Sequence, residues 1–262
     1  YNTTTTLNKS LEKLSSGLRI NRSSDDAAGL AISESLKSDI RALQQASRNA
    51  ADGISLVQTA EGALDEVSGI ILRLRELGQQ AATETLGSQE RDYLDNEFQA
   101  LVGEINRISD STEFNGMFLL NGGGGTLDVQ VGMGTGSSSQ ISLDMSDDMD
   151  AAALGLTATT VNIQGTDSTA ATTALGYITT ATSTVSAKRA EFGSGQNRLE
   201  TAIRNIGTQV ENLSAANSRI RDVDIAAETS KMTSYQILRQ AGISVLSQAN
   251  MAPQMSLMLL QG

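Results

Sequence analysis

The chain of 262 residues reads as mainly α, with long antiparallel helices forming a coiled-coil-like rod and a small β-hairpin region in the middle. Three observations predict this. Apolar residues recur at alternating steps of three and four over long stretches at both ends, the heptad signature of helices packed side by side. Residues 113–172, between those ends, are instead rich in Gly, Thr, Ser and Ala. Aromatic residues make up 3% of the chain, too few for a conventional globular core, so narrow seams of Leu, Ile, Val and Ala must carry the packing.

The first apolar face is short: Leu7, Leu11, Leu14 and Leu18. A long seam follows through Leu36, Ile40, Leu43, Ser47, Ala50, Ile54, Val57, Ala60, Leu64, Val67, Ile71 and Leu74, with a phase slip after Val57. Gly53, Gly62 and Gly69 each weaken this helix by about 1 kcal/mol relative to Ala, so it needs a partner. The small residues Ala50, Gly53, Ala60, Gly195 and Ala202 admit close helix approach. The glycines are equally readable as kink markers. Thr83 to Gly87 reads as a turn, and Ser88 as the capped start of a second helix over about 88–109. Its face is Leu94, Phe98, Leu101, Ile105 and Ile108.

In the middle, Leu127, Val129 and Val131 alternate, as do Ile141, Leu143 and Met145, and the Gly and Ser between them predict a hairpin. Residues 147–182, rich in Thr, Ala and Asp, read as a loose surface excursion. The return seam is the clearest: Ile178, Ala181, Val185, Lys188, Phe192, Gly195, Leu199, Ala202, Ile206, Gln209, Leu213, Ala216, Ile220 and Val223. From 240 to 262 there is no charged side chain, yet Ile243, Val245, Leu246, Met251, Met255 and Leu257 to Leu260 are apolar. An uncharged amphipathic tail on an acidic chain points to a buried assembly surface. The alternative is binding to a membrane surface, although such helices usually carry Lys or Arg on their polar face.

Composition narrows the function classes. The net charge of −11 argues against nucleic-acid binding, which needs a basic stripe. With no Cys there is no disulfide framework, thiol catalysis or thiolate metal site; with no His the commonest general base and transition-metal ligand are gone. Asp147, Asp148 and Asp150 offer oxygen ligands to a hard cation, but SDDMD lacks calcium-loop spacing. No catalytic, cofactor or metal residue is assigned, and the chain reads as a non-enzyme. No secretory signal is visible at Tyr1, and no stretch is apolar enough to span a bilayer.

Long motifs then carry a resemblance. LEKLSSGLRINRSSDDAAGLAISESL at 11–36 resembles the N-terminal segment of bacterial flagellins, and DGISLVQTAEGALDEV at 52–67, RLRELGQQAA at 73–82 and EFNGMFLLNG at 113–122 continue it. NRLETAIRNI at 197–206, SRIRDVDIAAETS at 218–230, ILRQAGISVLSQAN at 237–250 and the final LLQG resemble the other end.

The resemblance implies a subunit that self-assembles into the flagellar filament for motility. It would leave the cell through the flagellar secretion apparatus without a cleaved signal peptide. Residues 1–29 and 219–262 would give the inner-core domain and its connectors, 30–112 and 173–218 the outer-core helices, and 113–172 a hairpin with a short variable segment. Relative to flagellins, further residues are expected before Tyr1. Leu7, Leu11, Leu14, Leu246, Leu257 and Leu260 are the candidate subunit-assembly residues. Arg19, Asp25, Asp26, Arg221 and Asp222 are candidate connector charges, expected to form ion pairs between layers. Arg73, Leu77 and Glu97 map onto positions that an animal Toll-like receptor uses, with Arg73 and Leu77 expected on one face. The implied partners are further copies of the chain, the export chaperone at the C-terminal segment, the junction and cap proteins, and that receptor. A hook–filament junction protein or an adhesive filament of the same family is the alternative.

Overall fold

A computed structural model describes residues 2–165 and 168–260, with side chains over 4–165 and 168–251. Among them are five α-helices: α1 (Asn2–Ser16), α2 (Ala27–Ala81), α3 (Ser88–Ser111), α4 (Thr169–Arg221) and α5 (Ile225–Leu260). Two small antiparallel hairpins lie between α3 and α4: β1 (Glu113–Phe114) with β2 (Met117–Phe118), and β3 (Gly125–Gln130) with β4 (Gln140–Met145). The mainly α class with a small β region is therefore as the sequence predicts. The chain divides into two compact units, one of residues 1–41 and 209–262, the other of 42–208.

The 42–208 unit holds one continuous apolar core. The predicted α2 seam supplies Ala50, Val57, Ala60, Leu64, Val67, Ile71 and Leu74, all essentially without solvent exposure. The α4 seam answers with Ile178, Ala181, Val185, Phe192 and Leu199. The two helices run antiparallel, because contacts advance in opposite directions. A Cβ on Gly78 meets Leu175, Arg189 pairs with Asp65 at 3.0 Å, and a Cβ on Gly53 meets Leu199 at 3.3 Å. These distances also decide what two of the glycines are for. A Cβ on Gly53 sits 3.2 Å from Val129, and one on Gly195 would collide with Leu143 at 2.7 Å. Both mark close approach of the β3–β4 hairpin to a helix. Gly62 and Gly69 face open space.

The hairpin register matches the predicted alternation: Leu127 pairs Leu143 and Val129 pairs Ile141, with Ile141, Leu143 and Met145 facing the core. The β1–β2 hairpin is an addition. Asn115 (φ 52°) and Gly116 (φ 77°) form its two-residue turn, a conformation that Asn-Gly adopts at little cost.

Three expectations are corrected. Gly87, not Ser88, is the N-cap of α3, and no side chain caps it. The buried face of α3 is Arg91, Asp95, Phe98, Val102, Ile105 and Ser109, while Leu94, Leu101 and Ile108 are only partly buried. The reason is polar. Arg91 donates to the carbonyls of Ala81 and Thr83 at 2.9 and 3.1 Å, and to that of Gly165. Asp95 accepts from the Ile163 amide at 3.0 Å and the Gln164 side chain at 2.8 Å. Each buried charge is thus hydrogen-bonded, which makes its burial tolerable. These bonds also fasten 163–165, part of the supposed loose excursion. Met149, Ala151, Leu154, Leu156, Val161 and Ile163 are core residues, and α4 begins at Thr169 within the same stretch.

Lys188 breaks the apolar α4 seam and is nonetheless buried. Its ammonium donates to Asp147 at 2.9 Å and Glu191 at 3.0 Å, and lies 5.3 Å from the Phe192 ring centroid. Burial pulls its pKa down, but hydrogen bonds to the two carboxylates outweigh this and hold it above the ordinary lysine value.

Candidate functional site

The terminal unit is built around two short connectors between helices. Residues 17–26 link α1 to α2, and 222–224 link α4 to α5. They meet as a minimal antiparallel pair, with Leu18 opposite Asp222. The Val223 amide donates to the Gly17 carbonyl at 3.0 Å, and the Arg19 amide to the Arg221 carbonyl at 2.6 Å. Gly17 (φ +71°) supplies the left-handed residue that turns the chain out of α1, a position any Cβ would strain.

The connector carboxylates work locally. Asp26 accepts from the Gly29 amide at 2.9 Å and caps α2, while Asp224 accepts from the Ala227 amide at 3.0 Å and caps α5. Asp25 accepts from the amides of Asn21 and Arg22 at 3.3 and 3.1 Å. The hydrogen bond from the Arg22 amide, foremost, holds the Asp25 carboxyl below its ordinary value. Asp222 contributes its backbone to the bridge.

Two of the arginines therefore find other acids than the predicted ones, while the Arg19 guanidinium donates to the backbone carbonyls of Arg219 and Ile220. Arg22 pairs with Glu12 at 2.8 Å and Arg221 with Glu34 at 2.5 Å. The hydrogen bond from Arg221 lowers the Glu34 pKa, with Lys37 and Arg41 adding to it. No spacing rule reaches from Arg221 back to Glu34, so the sequence carried no signal for that pair. The expected Asp–Arg pairing is corrected to helix caps plus Glu–Arg pairs.

Packing on either side is uneven. α1 packs against α5. Leu7 is buried, Leu14 is half-buried and Leu11 is 45% exposed. Beyond that contact, the described side chains of α5 from 236 to 251 are all exposed. Ile237, Leu238, Ile243, Val245, Leu246 and Met251 are all more than half exposed, Leu246 at 64%. Leu257 and Leu260 lie outside the described side chains. Among the described residues no helix is long and apolar enough to cross a membrane.

In the other unit, Arg73 bridges two acids, Glu97 at 2.8 Å and Glu76 at 2.9 Å, and both hydrogen bonds raise its pKa. Arg73 and Glu97 each remain nearly half exposed. Leu77 does not join them: it is 1% exposed and belongs to the core. One helical turn places two residues on neighbouring stripes, and here the boundary between surface and core runs between them. Asp147, Asp148 and Asp150 are also committed. Asp147 holds Lys188, Asp148 accepts from the Asp150 amide at 3.0 Å, and Asp150 accepts from the Ala153 amide at 2.7 Å.

Comparison with known proteins agrees with this two-ended plan. A family model of the bacterial flagellin N-terminal helical region matches residues 1–124, and one of the C-terminal helical region matches 175–260. A flagellin of Halalkalibacterium halodurans is 50% identical over 254 residues, covering 97% of this chain and 91% of that protein. A flagellin of Bacillus subtilis is 43% identical, covering 97% and 92%. The flagellar filament 33 kDa core protein of Treponema phagedenis is 42% identical, covering 99% and 94%. The crystal structure of Bacillus cereus flagellin superposes with a TM-score of 0.53 at 33% identity, covering 65% of this chain and 94% of that one. With both terminal helical regions matched and near full-length relatives at these identities, the chain belongs to the bacterial flagellin family.

Proposed function

We infer that this chain is the repeating structural subunit of a bacterial flagellar filament, and that its own copies cover the exposed apolar side chains of α5. The observation that carries this reading is the run of exposed apolar side chains from Ile237 to Met251. Left in water, such side chains favour association, at roughly 25 cal/mol per Å² of apolar surface covered. In the proposed layout 1–29 and 219–262 build the inner layer with its connectors. Residues 30–112 and 173–218 build the layer around it, and 113–172 the hairpin and variable segment. Leu7, Leu11, Leu14 and Leu246, with Leu257 and Leu260, are the proposed assembly residues. Catalysis has no part in this reading.

The test is polymerisation. Purified chain, given precipitating salt or filament seeds, is expected to form filaments visible by electron microscopy. Persistent monomers under all conditions would overturn the proposal.

Further partners follow from the same surfaces. Before export, the uncharged segment 240–262 suits the groove of an export chaperone, as an amphipathic helix laid into a hydrophobic channel. Junction and cap proteins would meet the ends of the filament through the faces that subunits use with each other. Export through the flagellar secretion apparatus, without a cleaved signal, is the proposed route. Recognition by the animal Toll-like receptor is supported by the exposed Arg73–Glu97 pair, since a half-exposed guanidinium is a common anchor in interfaces. Leu77, being buried, would act there through packing. Reporter-cell activation unchanged by Arg73→Ala would remove the receptor from the list of partners.

A further inference from the structure

α4 ends without any cap of its own. A helix leaves its last four carbonyls unpaired, and the usual remedy is a glycine just beyond the end. Here Asp222, Val223 and Asp224 follow Arg221, and none is glycine. The four carbonyls are nevertheless all satisfied. Ser218 accepts from the Asp222 amide at 2.8 Å. The other three accept from a single residue some two hundred positions earlier. The Arg19 guanidinium donates through Nη2 to Arg219 at 3.1 Å and Ile220 at 2.6 Å, and the Arg19 amide donates to Arg221 at 2.6 Å.

We propose that Arg19 is the C-terminal cap of α4 and the positioning residue that makes the two connectors one element. The chemistry fits the place. The carbonyl end of a long helix carries partial negative charge, and a guanidinium set against it is favoured. The planar fork of Arg lets one nitrogen serve two adjacent carbonyls while the charge stays at the helix axis, which a lysine ammonium does less well. Two arginines on the last turn, Arg219 and Arg221, would repel this cation; the pairing of Arg221 with Glu34 offsets one of them. The consequence for assembly rests on the filament reading above. α1 and α5 leave the connector pair side by side, so the cap fixes where both start, and with it the geometry they offer to neighbouring copies.

The experiment uses the full chain with Arg19→Ala and Arg19→Lys. On the monomer, amide hydrogen exchange is read at Arg19 and Val223, the two amides of the connector bridge. Arg19→Ala is expected to speed exchange at both by about fivefold, Arg19→Lys to fall between it and wild type, and amides of α2 at 57–74 to stay unchanged. Equal protection at Arg19 and Val223 in all three proteins would overturn the proposal, whether or not any of them polymerises. On filaments, Arg19→Ala is expected to need more subunit for seeded growth and to change the helical shape. Filaments of wild-type shape from Arg19→Ala at wild-type concentration would sink the assembly role. Failure of the wild-type chain to polymerise would count against the filament reading alone.

Discussion

Residues 42–208 and the terminal unit of 1–41 with 209–262 use the same apolar side chains to opposite ends. In the first, Leu, Ile, Val and Ala on α2, α3, α4 and the hairpin close over one another, and even Arg91, Asp95 and Lys188 are buried with partners. In the second, Leu7 is covered, but the apolar side chains of α5 stand in solvent over several turns. The first unit contains its own core. The second contains half of an interface. A subunit that must stay folded during polymerisation and still associate strongly needs both, and the chain separates them by sequence position rather than by composition.

The sharpest way to break that comparison is a charge on α5. Leu246→Asp would bring an unpaired carboxylate into any interface that covers the face. We expect the subunit concentration needed for filament growth to rise about a hundredfold, in line with a hot-spot loss near 3 kcal/mol. The thermal unfolding of the 42–208 unit should not move, because Leu246 takes no part in that core. Filaments at the wild-type concentration would show that this part of α5 is not an interface.

Next is the converse change. Phe98 has no exposure and sits at the centre of the buried α3 face. Phe98→Ala is expected to cost about 3–5 kcal/mol in denaturant unfolding of this unit, from lost burial plus the cavity left behind. A cost under about 1 kcal/mol would mean that the core is far looser than its burial indicates.

A smaller effect separates glycines that look alike in sequence. Gly195→Leu forces side-chain atoms into Leu143 and should destabilise the unit by about 1–3 kcal/mol, and Gly53→Leu likewise against Val129 and Leu199. Gly62→Leu and Gly69→Leu meet open space and should leave monomer stability level or slightly higher, since each removes a helix-weakening glycine. Equal melting losses at all four sites would restore the reading of these glycines as kink markers.

How much of this could be read in advance depends on the range of the interactions. The α2 and α4 seams and the β3–β4 register rest on period, a local property, and they stand largely as the sequence predicts; Ala46 and Gly53 take the buried places expected of Ser47 and Ile54, and Gln209 is exposed. Local patterning failed where a polar residue was buried. Arg91 and Asp95 occupy core positions on α3 because groups at 81–83 and 163–165 satisfy them, and no pattern within α3 announces those partners. The same partners turned a Thr- and Ala-rich stretch into packed structure. In the connectors the residue types were legible but not their pairing. Asp26 and Asp224 took the short-range task of capping. Arg22 and Arg221 went to Glu12 and Glu34, and Arg19 went to the carbonyls that end α4, none at a distance along the chain that carries a rule. The Asn115–Gly116 turn was legible in principle, since Asn-Gly is a strong hairpin signal.

The smallest expected effect concerns acid, and it again divides the two units. Glu34 is held below the ordinary carboxylate value by the hydrogen bond from Arg221, and Asp25 by that from the Arg22 amide. A carboxylate whose folded pKa is depressed contributes stability that is present above its unfolded value and lost as pH falls through the folded one. The connectors should therefore loosen on the acid side. Lys188 has the opposite sign: its raised pKa contributes below the ordinary lysine value and is lost only as pH rises through the folded one. Protection factors at the Asn21, Arg22 and Val223 amides are thus expected to fall between about pH 5 and pH 3, before helical circular dichroism changes. Amides of the α2 seam should hold through that window. Glu34→Gln should lower protection at Val223 already at neutral pH and flatten its further loss, because the group that titrates beside Arg221 is gone. A wild-type profile that is level across the window, or one in which α2 and connector amides lose protection together, would mean that the connectors are not the weaker element under acid.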